Sequence, residues 1–318
     1  MSDFLINAGS FLYSAFTLGI LWAIMAIGVF LTYRILDIAD LSCEGVFPLG
    51  AAVAAKIISQ GGDPFLACLA AAGAGVLAGT VTGILHTKLK IPILLSGILA
   101  MTALYSINLR VMGKANISLL RMDTVYSRIQ NLLGITSKAA TILVGSGFVL
   151  LVVILLWMFL NTELGYSIRA TGNNVNMIRA LGVDTDKMFL FGLVIGNALI
   201  GLAGALIAQN QSYADIGMGT GTIVIGLASV IIGEVLFGNS SVFRHMIAIV
   251  LGSVTYRIII ALVLEIDFKF QVADRSFEIA VEPTDLKLFT SIIVTIALSL
   301  PLIKQKIAAV KASGASSR

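Results

Sequence analysis

The sequence predicts an all-α fold, a polytopic transmembrane helical bundle. Of its 318 residues, 58% are hydrophobic and only 12% are charged, and the mean hydropathy is +0.99. Soluble domains carry about 25% charged residues, so this chain has too few charges to cover a soluble surface. Apolar runs of about 20 residues recur, the length that an α-helix needs to cross a bilayer. We therefore expect a single transmembrane domain over residues 1–318.

Nine apolar segments are candidate spans, and a range of eight to ten is consistent with the hydropathy pattern. The second and the seventh are short, with about 15 and 17 residues, and both contain glycine. Short segments of this kind indicate broken or re-entrant helices, whose loose backbone must be covered by protein or water. The candidate spans are 11–33, 44–58, 64–87, 92–112, 139–160, 188–208, 221–237, 243–264 and 287–303.

The two short segments share a pattern. "GVFPLGA", which begins at Gly45, and "GTIVIGLA", which begins at Gly221, both read Gly-x4-Gly followed by a small residue. In the nine-span layout the first segment starts from the inner face and the second from the outer face. Short, glycine-interrupted helices at matching positions predict an inverted repeat with a transport site near the midplane of the membrane.

Nine spans place the termini on opposite faces, and we expect the N-terminus outside and the C-terminus in the cytoplasm. The inner loops then carry only slightly more Lys and Arg than the outer ones, the bias that sets topology. The orientation therefore depends partly on segment 162–187, which is expected to be cytoplasmic. Loops 113–138 and 265–286 are then extracytoplasmic, where they could contact a partner.

Composition also argues against several functions. The net charge of +4 is explained by topology-setting loop residues, because no basic patch interleaves with aromatic residues as in nucleic-acid binders. His86 and His245 are the only histidines, so we expect neither a histidine-rich metal site nor a cofactor. The sequence has no Gly-x4-Gly-Lys-Ser/Thr loop, so it cannot bind ATP by that device.

A polar stretch, "GYSIRATGNNVNMIRALGVDTDK" at 165–187, separates two apolar spans. Asn173 or Asn174 is placed to cap a helix of about two turns, and Gly182 to end it. One side of this helix is predicted to be apolar, at Val175, Ile178 and Leu181. So short a helix is unstable alone. It is therefore either an amphipathic helix resting on the bilayer or the bundle, or a docking helix for a cytoplasmic partner.

The stretch from Glu163 to Gly204 resembles the coupling segment of ATP-binding-cassette (ABC) importer permeases, in the branched-chain amino acid, ribose and nucleoside permease family. Two further stretches, from Asp40 to Ala55 and from Tyr213 to Gly238, are similar to the same family. Within that family the chain is most similar to tryptophan- and tyrosine-type amino-acid permeases. One departure is Arg179-Ala180-Leu181, where many members have Ala-Ala-Arg. The positions that match the coupling motif are Gly165, Arg169, Ala170, Gly172, Asn174, Ala180, Gly182, Val183, Gly201 and Gly204.

The resemblance implies a transport subunit of the bacterial inner membrane that is not itself an enzyme. It implies a pair of permeases, expected to be a homodimer, with the pore at the interface or within each half. Two cytoplasmic ATPase subunits would dock on the permease, and an extracytoplasmic substrate-binding lipoprotein would deliver the solute. The solute is expected to be an amino acid, with a sugar or nucleoside as the alternative. The implied coupling residues are Arg169, Gly172, Asn173, Asn174, Ile178, Arg179, Ala180, Leu181 and Gly182.

Two polar loops are candidates for the translocation pathway or a gate. They are "LSCEG" at 41–45 and "QNQSYADIGMGTG" at 209–221, which the span count places on opposite sides. The alternative is that they are ordinary turns. Glu234 and Arg257 fall within spans, where they are either pairing residues or functional ones. An ion-coupled secondary transporter is the alternative function. The pathway candidates are Ser42, Glu44, Gly45, Asn197, Tyr213, Asp215, Gly217 and Gly219.

Overall fold

The computed structural model describes residues 2–238, 240–264, 267–272 and 275–280, with isolated positions between 288 and 299. In these ranges the chain forms eleven α-helices and two pairs of short antiparallel strands. The helices are α1 (Ser2–Phe30), α2 (Cys43–Ser59), α3 (Pro64–Thr87), α4 (Ile93–Met112), α5 (Val125–Leu133), α6 (Ser137–Leu160), α7 (Glu163–Asn173), α8 (Val175–Ala180), α9 (Thr185–Gln211), α10 (Thr222–Phe237) and α11 (Val242–Leu264). The strands are β1 (Asn116–Ser118), β2 (Tyr213–Asp215), β3 (Asp267–Val272) and β4 (Arg275–Ala280).

Eight of the nine predicted spans are helices, and most of the ninth lies outside the described residues. Seven helical segments in the described chain are long and apolar enough to cross a membrane. The predicted polytopic helical bundle is therefore confirmed, although its total number of spans is not. The seven are Leu12–Ile35, Pro64–Thr87, Ile93–Met112, Ser137–Leu160, Thr185–Gln211, Ile216–Phe237 and Val242–Val263.

Helix α9 has 27 residues and is about 40 Å long. The two ends of the bundle are named after the termini of this helix, the Thr185 end and the Gln211 end. At the Thr185 end, Lys90 Nζ lies 2.5 Å from Asp186 Oδ2, so the turn between α3 and α4 is held there. At the Gln211 end, β1 pairs with β2. Loop 113–138 also folds against this end, since Tyr126 of α5 donates a hydrogen bond to the Leu206 carbonyl at 3.0 Å.

The two short helices, α2 and α10, have 17 and 16 residues, or about 25 Å each. Each is therefore shorter than the roughly 30 Å of a bilayer core, and α10 reaches the length of a span only together with the turn ahead of it, as Ile216–Phe237. Loop 36–42 precedes α2, and a 3₁₀ turn at Ile216–Gly219 precedes α10. Most residues of α2 are buried inside the bundle. The expectation of short or broken helices at these two places is met.

Close backbone contacts join α2, α3 and α9. A Cβ on Gly50 of α2 would lie 2.0 Å from the Gly201 carbonyl oxygen of α9, and one on Gly204 would lie 2.0 Å from the Phe47 carbonyl oxygen. On the other side of α9, a Cβ on Gly75 of α3 would lie 2.2 Å from a carbonyl oxygen. Small residues allow such approaches between helices in membranes. The glycines hold α9 between α2 and α3.

Candidate coupling segment and translocation site

The polar stretch between the spans folds into α7 and α8. Thr162 caps α7 by accepting a hydrogen bond from the Gly165 N–H at 3.2 Å. Of the two asparagines predicted to cap the short helix, it is Asn174 that does so, accepting from the Met177 N–H at 3.0 Å. Gly182 then has φ +84°, the left-handed conformation expected after a helix end. The local prediction for this stretch therefore agrees with the structure.

The predicted apolar face of α8 is only partly correct. Ile178 is buried and Val175 is half-buried, whereas Leu181 is 71% exposed. Residues three apart on an α-helix drift by about 60° per step, so Leu181 is turned well away from Val175. It lies instead one turn after Met177, which is 51% exposed. Together Met177 and Leu181 form an exposed apolar pair at the Thr185 end of the bundle.

Helix α7 is packed directly on the π-helical turn Leu31–Ile35, which continues α1 and forms its end. A Cβ on Gly172 would lie 1.9 Å from the Ile35 carbonyl oxygen, so only glycine allows this approach. Ile168 is fully buried in a small apolar cluster at the same place. The other buried members of that cluster are Leu36, Ile38, Met188 and Leu193. Displacement of α7 must therefore move the ends of α1 and α9 with it.

Polar contacts attach α8 to α9. Arg179 Nη2 donates to Thr185 Oγ1 at 2.9 Å. Asp184 caps α9 by accepting from the Lys187 N–H at 3.2 Å, and this hydrogen bond holds the pKa of the Asp184 carboxyl below its ordinary value. Of the other predicted coupling residues, Arg169 lies over the Tyr166 ring at 5.6 Å. The remaining ones are exposed: Asn173, Asn174, Ala180 and Gly182.

The two predicted pathway loops meet inside the bundle. Glu44 Oε1 accepts a hydrogen bond from the Gly221 N–H at 2.9 Å. A Cβ on Gly219 would lie 2.0 Å from the Glu44 carbonyl oxygen and 2.6 Å from Pro48 Cδ. The loops enter from opposite ends of the bundle, as expected. Leu36 and Ile38, ahead of α2, lie in the apolar cluster beside α7, whereas β2 lies at the Gln211 end. Because α2 and α10 are both short and both begin within the bundle, the loops ahead of them reach the same depth.

A cavity of about 420 Å³ lies beside this junction. Of the predicted pathway residues, Glu44, Gly45 and Gly217 line it. Asp215 is adjacent and accepts from the Gly217 N–H at 2.8 Å, whereas Tyr213 pairs with Ser118 in the β1–β2 strands. The residues that line the cavity are Glu44, Gly45, Pro48, Met101, Thr102, Tyr105, Asn108, Ile216, Gly217 and Thr220.

The contribution of α4 to this cavity was not predicted. Thr102, Tyr105 and Asn108 are the polar residues that α4 contributes to the lining. Tyr105 and Asn108 share one side of the helix with Met101, at spacings of four and three residues, and Thr102 borders that side. The pattern was therefore available in the sequence as a signal for a polar cavity.

The other two predicted pathway residues, Ser42 and Asn197, belong to a separate buried network with Asp40. Asn197 Nδ2 donates to Asp40 Oδ2 at 2.8 Å, and the Ser42 N–H donates to Asp40 Oδ1 at 2.9 Å. Ser42 Oγ donates to Asn197 Oδ1 at 3.3 Å. None of the three side chains lines the cavity. The network joins the loop ahead of α2 to the middle of α9.

The two charged residues within predicted spans have different surroundings. Glu234 Oε1 lies 2.8 Å from Arg34 Nε and 2.7 Å from His245 Nε2, so its interpretation as a pairing residue is confirmed. Arg257 does not extend outward as a snorkelling residue would. Its guanidinium carbon lies 4.1 Å from the centroid of the Trp22 ring, which in turn stacks on Phe47 at 5.2 Å.

No group of three or more His, Cys, Asp or Glu residues in the described part of the chain is placed to hold a metal ion. The features with functional potential are therefore the cavity, the buried Asp40 network and the α7–α8 segment. A bundle of membrane-spanning helices, with a polar cavity where two short helices meet, belongs to a membrane transport protein.

The particular family follows from the sequence. Residues 11–303 match the family described as branched-chain amino acid transport system, permease component, and the chain belongs to that family. It is thus a multi-pass inner-membrane protein and the permease component of an ABC import system, which works with ATPase and substrate-binding proteins and is not itself catalytic. This membership excludes the alternative of an ion-coupled secondary transporter.

Among known proteins, the chain is 40% identical over 281 residues to a tyrosine transport system permease protein of Clostridioides difficile, and the match covers 88% of each chain. It is 33% identical over 279 residues to an uncharacterized protein of Rickettsia prowazekii, covering 86% of this chain and 92% of that one. The autoinducer 2 import system permease LsrC of Escherichia coli is 28% identical over 242 residues, covering 76% and 67%. No solved structure matches the chain.

Proposed function

We propose that the chain forms the translocation pathway of a bacterial amino-acid importer, with tyrosine as the first candidate substrate. The observation that carries this proposal is the 40% identity to a tyrosine transport system permease along 88% of both chains. The more distant similarity to an autoinducer 2 permease, at 28% identity, gives less support to a solute of another class. The polar cavity at the α2–α10 junction is the corresponding place for the solute in the bundle.

The α7–α8 segment is proposed to receive the work of ATP hydrolysis from a docked ATPase. Its exposed apolar pair, Met177 and Leu181, suits insertion into a groove of a partner. Its attachment through Gly172 to the end of α1 supplies the path by which rigid-body motion of the segment would reach the spans.

Docking of an ATPase places the α7–α8 segment in the cytoplasm, and the N-terminus then lies outside. Tyr13 of α1 contacts Lys138, whose Nζ lies 5.6 Å from the Tyr13 ring centroid. The beginning of α1 is therefore near loop 113–138 at the Gln211 end, and its last residues are near α7. The C-terminus, predicted to be cytoplasmic, lies outside the described residues.

A second copy of the chain is proposed to complete the pathway. The cavity is bordered by α4, whose apolar stretch is only 28% buried in the single chain. Tyr105 and Thr102, which line the cavity, are both exposed. A homodimer that covers this side of α4 would enclose the cavity between the two subunits.

The docking proposal is tested by co-purification of the permease with its ATPase. Leu181→Asp and Ala180→Arg each place a charge on the exposed surface of α8, and we expect both to abolish ATPase association while membrane insertion is retained. Leu132→Asp is the matched control, because Leu132 is 78% exposed on α5 at the opposite end. Normal ATPase recovery with the α8 variants would refute the docking assignment.

The substrate proposal is tested by uptake of labelled L-tyrosine in cells that express the chain with its ATPase and binding protein. We expect uptake that excess unlabelled aromatic amino acid suppresses and that ribose or a nucleoside does not. If ribose or a nucleoside suppresses uptake and the aromatic amino acid does not, the substrate belongs to that other class of solute.

A further inference from the structure

We propose that the cavity at the α2–α10 junction binds the ammonium group of the transported amino acid, with Glu44 and Asn108 as its acceptors. The amino-acid part of this proposal rests on the proposed function. The ammonium site itself is argued from the cavity's own groups and applies to any primary ammonium ion that enters.

Asn108 supplies the first observation. Its side chain is only 1% exposed, and its Nδ2 donates to the Gly45 carbonyl oxygen at 3.1 Å. Its Oδ1 is buried and accepts no hydrogen bond within the described chain. A buried acceptor without a partner is costly and rare. Because Asn108 borders the cavity, we infer that this oxygen turns toward a ligand that brings an N–H or O–H donor.

Glu44 supplies the second observation. One of its oxygens already accepts from the Gly221 N–H, directly ahead of α10. A helix N-terminus attracts negative charge, and here the protein's own carboxylate takes that position. At the head of α2, Asp40 likewise accepts from the Ser42 N–H. The N-terminal ends at which the two short helices could hold a substrate carboxylate are thus already occupied by the chain's own acids.

The remaining groups of the cavity also favour a cation. None of the residues that line it in the described chain is lysine, arginine or histidine. Asp215 lies next to it, bonded to the Gly217 N–H. Tyr105, which is 57% exposed, offers a ring face of the kind that attracts cations. An ammonium group carries three donors and no acceptor, so it matches the acids of this set. A carboxylate would find only the hydroxyl donors of Thr102, Tyr105 and Thr220 and would be repelled by Glu44.

The size of the cavity is adequate for such a ligand. Its volume of about 420 Å³ lies within the range of about 300–1,000 Å³ typical of small-molecule sites. The geometry therefore assigns recognition of the ammonium end to the permease.

The test measures whether a bound ligand protects an introduced cysteine from chemical labelling in the purified full-length permease. Thr102 lines the cavity and is exposed, whereas the native Cys43 and Cys68 are buried. Thr102→Cys is labelled with a maleimide in the presence of tyramine, L-tyrosine or 3-(4-hydroxyphenyl)propanoate. We expect tyramine and L-tyrosine to slow the labelling and the propanoate, which lacks the ammonium group, to leave it unchanged.

Removal of an acceptor should weaken this protection. Glu44→Gln in the Thr102→Cys background is expected to raise the tyramine concentration for half-protection by about tenfold or more, the effect of losing a hydrogen bond to a charged group. Asn108→Leu should act in the same direction. Asp123→Asn, at an exposed acid outside the cavity, is the matched control and should not change it. Because Asn108→Leu also breaks the bond to Gly45, the decisive variant is Glu44→Gln.

Three results would overturn the ammonium site: equal protection by the propanoate, unchanged protection in Glu44→Gln, or no protection in a permease that imports tyrosine. The uptake assay reports separately on the proposed function. Protection by tyramine in a permease that imports no tyrosine would support the ammonium site and overturn the proposed substrate.

Discussion

The side-chain amide nitrogen of Asn197 lies 2.8 Å from a carboxylate oxygen of Asp40, which is 157 residues away in the chain. Asn197 is at the middle of α9 and is fully buried, and Asp40 is only 3% exposed. The loop ahead of α2 is thereby fixed to the middle of the bundle. This contact sets the depth at which α2 begins, and hence the position of Glu44.

Asn197→Leu should therefore destabilise the protein. The substitution leaves the Asp40 carboxylate buried with one partner fewer, which costs about 3 kcal/mol by analogy with other broken buried polar pairs. The measurement is the free energy of unfolding of the purified permease in detergent. Asn131→Leu is the control, since Asn131 is exposed on α5. A loss of stability no larger than in that control would show that the Asp40 network does not hold the loop.

Gly204→Val should prevent α2 from packing on α9. A Cβ at this position would lie 2.0 Å from the Phe47 carbonyl oxygen, and no rotamer relieves a clash between backbones. Overpacking in a close-packed core costs about 1–3 kcal/mol or more. The amount of folded permease recovered after detergent extraction measures the effect. Gly73→Val should be tolerated, because a Cβ on Gly73 meets nothing within 4 Å, and an equal loss in both variants would contradict the contact.

The sequence predicted the helices of the fold well, because a span needs a long apolar run that few other structures use. Asn174 and Gly182 were also predictable, since capping and helix termination depend on local chemistry. The contact between Glu44 and Gly221 was not predictable, because it depends on how deep in the bundle the two short helices α2 and α10 begin. The prediction put Leu181 on the buried face of α8, which is wrong because residues three apart do not stay on one side of a helix. The role of Asp40 was not predictable either, because it depends on contact with Asn197, which is distant in the sequence.

Gly172→Ala should separate ATPase binding from transport. An added methyl group at this position would overlap the Ile35 carbonyl oxygen, so α7 must move away from the end of α1. The exposed surface of α8 is left unchanged, and we expect ATPase co-purification near the wild-type level with a large loss of ATP-driven uptake. Gly147→Ala in α6, where a Cβ meets nothing within 4 Å, should transport normally. Wild-type uptake by the Gly172→Ala variant would show that this contact does not transmit the motion.

Asp63 should stabilise the Gln211 end of the bundle in a pH-dependent way. Its carboxylate accepts from the Leu66 and Phe65 N–H groups at the start of α3 and pairs with Arg128 of α5, which together hold its pKa below the ordinary value of 3.8. Because the pKa is lowered by folding, the stabilisation is fully present above about pH 3.8. It is lost as the pH falls from there through the pKa of the folded state.

The midpoint of thermal unfolding should therefore be higher in the wild type than in Asp63→Ala at pH 7, and this gap should narrow below pH 3.8. Asp123→Ala, at an exposed acid, should show no such gap. A gap between the wild type and Asp63→Ala that is the same at every pH would mean that the charge of Asp63 contributes nothing.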